Sequence, residues 1–553
     1  MPIPRWKGFR LRRWAREAAS GFFLALVSAL LALGAAEAVF RIKGSGEPSR
    51  WYAIRTEAGQ PVVETIRYEP TPRLPFRLAP VSFTIRKPPG GLRVFCLGDS
   101  TVFGYPYAPR GSPSKVLESI LSAALPGRPV EVINAGYLGA DSARVLSLLR
   151  ELVEYQPDAF VVYVGHNEFL RYDYAHQVDV HFRFHPRVAL SPRTLAFVAL
   201  HESALWRWAC GTDLGLALRG WWQQRRTGQR IGRSGQVSGK MMEATFLSYE
   251  ENLAEMAGLC RQRRVPLVLC TVAGNAKSQS PLLRLHSRDG SPGAVAESQK
   301  SEDAAQRALD GGRPAAALPL SQRAEAFDPA DALPDYLSGR ARLALKDVDG
   351  ARACFEAAIE KDGLRHRAFA RISEEVRRVA REKGAALCDI RALFEARCAD
   401  GIIGDELIVD HVHPNLEGMV LLARAMARGL ADAGVAPADA VEKVPLSDED
   451  LIGRLSMDRP ATRDAMLRLA LSAAGQENPA RAASLFLIAA TLYEPGESDV
   501  ALGPDFLRGV AALLQGDMAK AKQVLGGVRS RDPELFERMS SRFAQLRISE
   551  RIR

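Results

Sequence analysis

Apolar residues fall into two rhythms along this chain. Leu92-Arg93-Val94-Phe95-Cys96-Leu97, Val130 to Ile133 and Ala159 to Val164 are short and nearly unbroken apolar runs, which predict buried strands. Between them, Ser114 to Leu125 and Asp141 to Tyr155 carry apolar residues every three or four positions and predict amphipathic helices. The strand rhythm returns at Pro266 to Val272 and Ala385 to Ile390, and the helical one at Tyr249 to Arg264, Arg367 to Lys383 and Leu416 to Ala433. Strands separated by helices imply an α/β domain, about 91 to 434, with a mainly parallel sheet covered on both faces.

Two insertions interrupt this alternation. The first, about 174 to 245, sets Trp206, Trp208, Trp221 and Trp222 among Arg207, Arg219, Arg225 and Arg226. Aromatic and basic residues together suit a membrane interface, so this stretch reads either as a helical lid over the site or as a membrane-facing segment. The second, 298 to 365, repeats itself. With Ala332 as position 1 of a 34-residue unit, Gly339, Ala351, Phe355 and Ala358 fall at positions 8, 20, 24 and 27. The unit from Ser298 puts Ala317, Ala324 and Pro329 at 20, 27 and 32. Near the C-terminus, Gly509, Ala521, Leu525 and Pro533 fit positions 8, 20, 24 and 32, with Ala482, Phe486 and Ala489 in a looser unit before them. Small residues at these positions let antiparallel helices approach closely. The pattern resembles the tetratricopeptide repeat over roughly 298 to 365 and 463 to 535, the second within a helical region from 445 to 553. Most of the usual large residues at positions 4 and 11 are missing, and a generic helical hairpin is the plainer alternative.

At 553 residues the chain exceeds one core and predicts two or more domains. The net charge of +10 is largely local: Arg5, Lys7, Arg10, Arg12, Arg13 and Arg16 supply six charges, leaving +4 for the rest. Such a balance gives no argument for nucleic acid. The basic segment 1 to 17 precedes Ala18 to Ala36, which lacks charge and at the helical rise spans about 28 Å, enough for a bilayer core. A single-pass anchor over 18 to 40 follows as the expectation, with the N-terminus in the cytoplasm and the remainder exported to the periplasm or beyond. A cleaved signal peptide competes with it, because Ala36-Glu37-Ala38 fits a small-x-small site. Residues 44 to 90 hold Pro48, Pro61, Pro70, Pro72, Pro75, Pro80, Pro88 and Pro89, which predicts an extended connector without ladder hydrogen bonds.

Seven cysteines, with no C-x-x-C pair, indicate neither a zinc site nor a dense disulfide frame. In an exported domain Cys388 and Cys398 could pair, which spacing alone does not show. No Gly-rich phosphate loop or EF-hand loop is evident, so neither cofactor nor metal is expected.

The chemistry-bearing residues stand at the ends of the apolar runs. Gly98-Asp99-Ser100 follows the first, Gly136 the second and Gly165-His166-Asn167-Glu168 the third, while Asp410-His411-Val412-His413-Pro414 closes the domain. An open parallel sheet places ligands at the carboxyl ends of its strands, where Ser100 belongs as nucleophile. A serine hydroxyl needs a base, and His413 is the candidate, with Asp410 three residues earlier to orient its other nitrogen. The backbone N–H groups of Ser100 and Gly136 and the side-chain amide of Asn167 are the expected oxyanion donors. Asp99 and His166 are the candidate substrate contacts. His411 has Ile408 at the offset where His413 has Asp410, and stays outside the triad.

These blocks, over residues 90 to 434 less the insertions, resemble the SGNH hydrolases, also called GDSL esterases. Gly98-Asp99-Ser100 with Gly104 looks like the first block, Asn134-Ala135-Gly136 the second, Gly165-His166-Asn167-Glu168 the third and Asp410-x-x-His413-Pro414 the last. Glu168 stands where aspartate is usual, and Thr101 where leucine commonly follows the serine. The resemblance implies a flavodoxin-like three-layer α/β/α fold and a metal-independent acyl-enzyme mechanism. It gives Ser100, Asp410 and His413 the triad roles, and Ser100, Gly136 and Asn167 the oxyanion roles. The expected function is a membrane-anchored esterase acting on acyl or O-acetyl esters, on a glycan or a lipid. Transfer of the acyl group to an exported polysaccharide uses the same triad, and a repeat-based scaffold with a quiet site is the third alternative. A protein partner for the repeats is expected; nucleic acid is not.

Overall fold

The computed structural model describes residues 27–28, 31–39, 52–57, 60–65, 81–169, 239–287, 291–455, 457–475, 478–494, 502–543 and 546. The chain divides into two units, Met1–Arg50 with His176–Ile231, and Trp51–Ala175 with Gly232–Arg553. Everything from residue 52 onward that follows belongs to the second. The basic segment, most of the expected anchor and the tryptophan-rich insertion up to residue 238 lie outside the described residues. Among the described residues no helix is long and apolar enough to cross a membrane.

Residues 52–57, 60–65 and 82–84, inside the expected connector, form a sheet. β1 (Tyr52–Glu57), β2 (Gln60–Thr65) and β3 (Ser82–Thr84) form an antiparallel sheet in that order. Pro61 sits at the start of its strand, opposite Thr56, where a missing donor costs least. Tyr52, Val63 and Phe83 turn inward, and the Phe83 ring meets Phe95 edge-on at 5.4 Å. The expected connector is therefore a docked sheet over these strands. Arg93, fully buried in the next strand, ties it down by donating to the carbonyls of Thr84 and Ile85 and to Glu131.

The large sheet follows the apolar runs. β4 (Leu92–Gly98), β5 (Val130–Gly136), β6 (Ala159–Tyr163), β7 (Leu267–Cys270) and β8 (Ala386–Cys388) are all parallel, in the order β5-β4-β6-β7-β8. Every residue of β4 and β6 is buried, as covering on both faces demands. Burying each of Val94, Phe95, Leu97 and Val162 is worth about 1.5–3 kcal/mol against exposure.

Helices cover both faces. α1 (Ser100–Phe103) and α2 (Pro113–Ala124) follow β4, and α3 (Ser142–Leu152) follows β5. α4 (Gly239–Arg263) precedes β7 and begins ten residues earlier than its apolar period suggests. Thr245 and Ser248 occupy buried positions in its first turns, so polar letters hide a buried face. The insertion between β7 and β8 is four helices, α5 (Pro292–Asp310), α6 (Pro314–Phe327), α7 (Leu333–Ala344) and α8 (Val348–Lys361), each packed on the next. α9 (Ala370–Lys383), α10 (Ile390–Arg397) and α11 (Leu416–Asp432) complete the domain. α11 packs against α2 on one face, and α3 and α9 pack against α4 on the other.

Beyond α12 (Ala438–Glu442) and α13 (Asp448–Arg454) run α14 (Arg459–Gly475), α15 (Pro479–Ala490), α16 (Gly503–Leu514), α17 (Met518–Arg531) and α18 (Pro533–Arg542). Leu451 and Leu455 belong to the sheet's core, whereas Leu467, Phe486, Phe506, Val510, Leu525 and Phe536 form a separate one. The C-terminal core therefore starts near Leu467 rather than at 445. The small residues of the two helical regions do equivalent work. A Cβ on Gly339 would lie 2.8 Å from the Phe355 ring, and one on Gly509 would lie 2.6 Å from Leu525.

Candidate active site

Ser100 stands at the carboxyl end of β4, with β5 on one side and β6 on the other. In this strand order the chain departs to opposite faces at that point, which opens a crevice for ligands. The turn from strand to helix is tight. A Cβ on Gly98 would lie 2.1 Å from the Tyr163 carbonyl oxygen, so only glycine fits there. Asp99 caps α1 by accepting from Thr101 N–H at 2.9 Å, and Gly104 closes that single helical turn in the left-handed region.

The 405–415 segment brings the base to the serine. Val409 N–H donates to the His413 carbonyl, and Ile408 bridges Pro414, which closes a loop around Asp410. Asn415 then caps α11 through Gly418 N–H. His413 Nε2 lies 2.7 Å from Ser100 Oγ, across 313 residues of sequence. His413 Nδ1 lies 2.6 Å from Asp410 Oδ2. The carboxylate selects the tautomer with the proton on Nδ1, leaving Nε2 to accept from the serine hydroxyl. Asp410 Oδ1 accepts from the N–H groups of Val412 and His413, both at 2.9 Å. Burial pushes the Asp410 carboxyl up, but the neighbouring His413 and His411 and these hydrogen bonds outweigh it and hold it well below the usual carboxylate range.

The expected oxyanion donors differ in their surroundings. Ser100 N–H is the first of a helix and has no intrahelical acceptor. Asn167 Nδ2 donates to the Ala140 carbonyl at 3.1 Å, and its amide carries a second hydrogen. Gly136 N–H donates to Asn134 Oδ1 at 3.0 Å, so the structure gives that hydrogen another acceptor. The glycine serves close packing instead: a Cβ there would lie 2.2 Å from Phe103 N in α1.

The two expected substrate contacts are corrected. Asp99 is fully buried and occupied as a cap. His166 is 2% exposed, its Nδ1 accepting from Ala368 N–H and its Nε2 3.4 Å from Tyr163 Oη. Burial lowers its pKa to about 3, which keeps it neutral and structural. His411 is buried as well, with Nδ1 3.6 Å from Asp410 Oδ1 and its pKa lowered to about 3, first by burial. Glu168 accepts from Ser142 N–H at 2.7 Å and Ser142 Oγ at 2.8 Å, anchoring the start of α3.

Sequence reasoning passed over Tyr105 and Asn275. The Tyr105 ring lies 4.5 Å from the His413 ring, and its hydroxyl donates to the Arg468 carbonyl of α14. Asn275, beyond β7, is buried; its N–H donates to the His411 carbonyl and its side chain to the Asp410 carbonyl. Asn275 follows a strand end just as Asn167 does, which was the available signal. Among the described residues, two groups have ligand atoms within 4.8 Å of one another, Asp410 with His411 and His413, and His286 with Asp328 and Asp331. In the first, His413 is engaged on both nitrogens; in the second, Asp331 accepts from Arg284. Cys388 and Cys398 are free thiols.

No family model matches this chain, and no curated protein does. Several solved structures are similar. An alpha/beta hydrolase enzyme from the metagenome of Lake Arreo, Spain, is 14% identical over 63% of this chain and 96% of its own, with a TM-score of 0.29. A catalytic mutant of an acetylxylan esterase from Geobacillus stearothermophilus is 13% identical over 62% of this chain and 94% of its own, with a TM-score of 0.27. A GDSL-like lipase from Bacteroides thetaiotaomicron is 10% identical over 62% and 88%, with a TM-score of 0.25. At these scores the functional reading rests on the site's own geometry: a serine, a histidine and an aspartate in hydrogen-bond sequence at the carboxyl edge of a parallel sheet.

Proposed function

We propose that the chain is a serine esterase of the SGNH/GDSL type, acting on acyl or O-acetyl esters of a glycan or lipid. One observation carries the reading: Ser100 Oγ, His413 and Asp410 are linked by contacts of 2.7 and 2.6 Å. Ser100 Oγ attacks the ester carbonyl as His413 Nε2 takes its proton. Ser100 N–H and the Asn167 amide stabilise the oxyanion, each worth about 3 to 4 kcal/mol in the transition state. The imidazolium returns the proton to the departing alcohol, leaving an acyl-enzyme. Water, deprotonated by His413, then releases the acid and restores the serine. Residues 18 to 40 anchor the chain in the inner membrane with the catalytic domain outside the cytoplasm, and the helical regions act as tetratricopeptide-like repeats for a protein partner.

A fluorophosphonate probe tests the nucleophile, with label expected on Ser100 and absent from Ser100→Ala. Label on another residue removes the reading. Turnover of an aryl acetate with and without oligosaccharide then identifies the acceptor. Acylated sugar in excess of free acid makes the enzyme an acyltransferase.

A further inference from the structure

An extended strap, residues 281 to 287, leads from the end of β7 to α5 along the helical insertion. Asp362, just after α8, takes the strap's Leu282 and Leu283 N–H groups at 2.8 and 3.0 Å. Asp328, 34 residues earlier at the same place in the preceding unit, takes the Ser287 N–H and hydroxyl. The two aspartates thus do the same work at successive repeats. They differ in their further partners: Asp328 Oδ2 lies 2.6 Å from His286 Nδ1. Asp362 also accepts from Arg367 at 3.0 Å, and both side chains are 2% exposed. The other arm of that guanidinium donates to the carbonyls of Asn275 and Gln279 at 3.1 and 2.9 Å. Asn275 in turn holds the main chain of Asp410 and His411.

We propose that Arg367 is a positioning residue for the acid–base loop, clamped by Asp362 of the helical insertion and acting through Asn275 on Asp410. The inference rests on the esterase reading above and adds a lever to it. A buried guanidinium with fixed donors holds its acceptors in one geometry, and a freely turning ammonium does not. Loss of the clamp lets the Asn275 turn shift, and Asp410 moves with it relative to His413. The helical insertion, and whatever binds it, is thereby coupled to the alignment of the base.

The test compares kcat and KM of the full chain on an aryl acetate for Arg367→Lys, Asp362→Asn, Asp328→Asn and Ser100→Ala, with a thermal melt of each. Arg367→Lys and Asp362→Asn are expected to lose about 10- to 100-fold in kcat, since small misplacements near the chemistry cost that much. KM stays within about twofold, because substrate binding is untouched. Asp328→Asn, which loosens the strap without reaching Asn275, keeps its kcat. Guanidinium added to Arg367→Gly restores part of the lost rate. Equal losses in Asp328→Asn and Asp362→Asn, an unchanged kcat in Asp362→Asn, or losses that track only the unfolded fraction overturn the proposal. Ser100→Ala reports separately: if it retains turnover the esterase reading falls, whereas an inactive Ser100→Ala beside an unimpaired Asp362→Asn sinks only the Arg367 link.

Discussion

Two aspartates stand beside the Ser100–His413 pair, one in each loop, and the protein treats them oppositely. Asp410 has every oxygen engaged, by two backbone N–H groups and the imidazole. Asp99 accepts from Thr101 N–H, and its Oδ2 is buried without a hydrogen-bond partner. Burial raises the Asp99 pKa to about 6, partly opposed by the Thr101 hydrogen bond and by His413. Asp410 is held well below its ordinary value. Carboxyl groups with pKa values pushed apart mark different jobs at one site. Asp410 is kept as a permanent anion that orients a base, while Asp99 sets a turn and carries its charge at a cost.

The sharpest way to break that contrast is Asp410→Asn. With the anion gone the wrong imidazole tautomer is favoured, and kcat on an aryl ester is expected to fall by about 10⁴. A loss below about tenfold places the orienting charge elsewhere. Asp99→Asn probes the other side and acts on stability. Its folded pKa is raised from 3.8 to about 6, so whatever stability it lends is complete below 3.8 and lost as pH rises through 6. The asparagine keeps the cap oxygen and sheds the charge, so it is expected to gain up to about 3 kcal/mol at pH 8. Urea melts at pH 4 and pH 8 check this: the advantage opens between those values, and an equal effect at both defeats it. Tyr105→Phe is the smallest change. It removes the bond to Arg468 and is expected to cost about 1 kcal/mol of stability, with kcat nearly unchanged because the ring stays against His413.

The sheet strands were legible because β4 and β6 are buried on both faces and carry unbroken apolar runs. The Ser100–His413–Asp410 series of hydrogen bonds was legible because Ser100 follows a strand and Asp410 precedes His413 by three residues. What escaped depends on partners distant in the chain. Nothing near Pro61 announces that Arg93 will hold its sheet, and Asn275 acquires meaning only from a loop 135 residues away. Gly136 and His166 lie in the expected neighbourhood, where each has partners that its motif does not reveal. A glycine beside a nucleophile admits backbone or substrate equally, and here the α1 backbone fills the space. A histidine in a motif says nothing of its exposure, which the packing of Ala368 and Tyr163 decides.

The 313-residue gap between Ser100 and His413 has a consequence for biosynthesis. At about 5–20 residues per second, a ribosome needs some 15–60 s to deliver the histidine after the serine. Throughout that interval the nascent chain carries an inert hydroxyl, and the helical insertion must emerge before the base does. Any chemistry that needs both side chains therefore waits for the histidine to emerge.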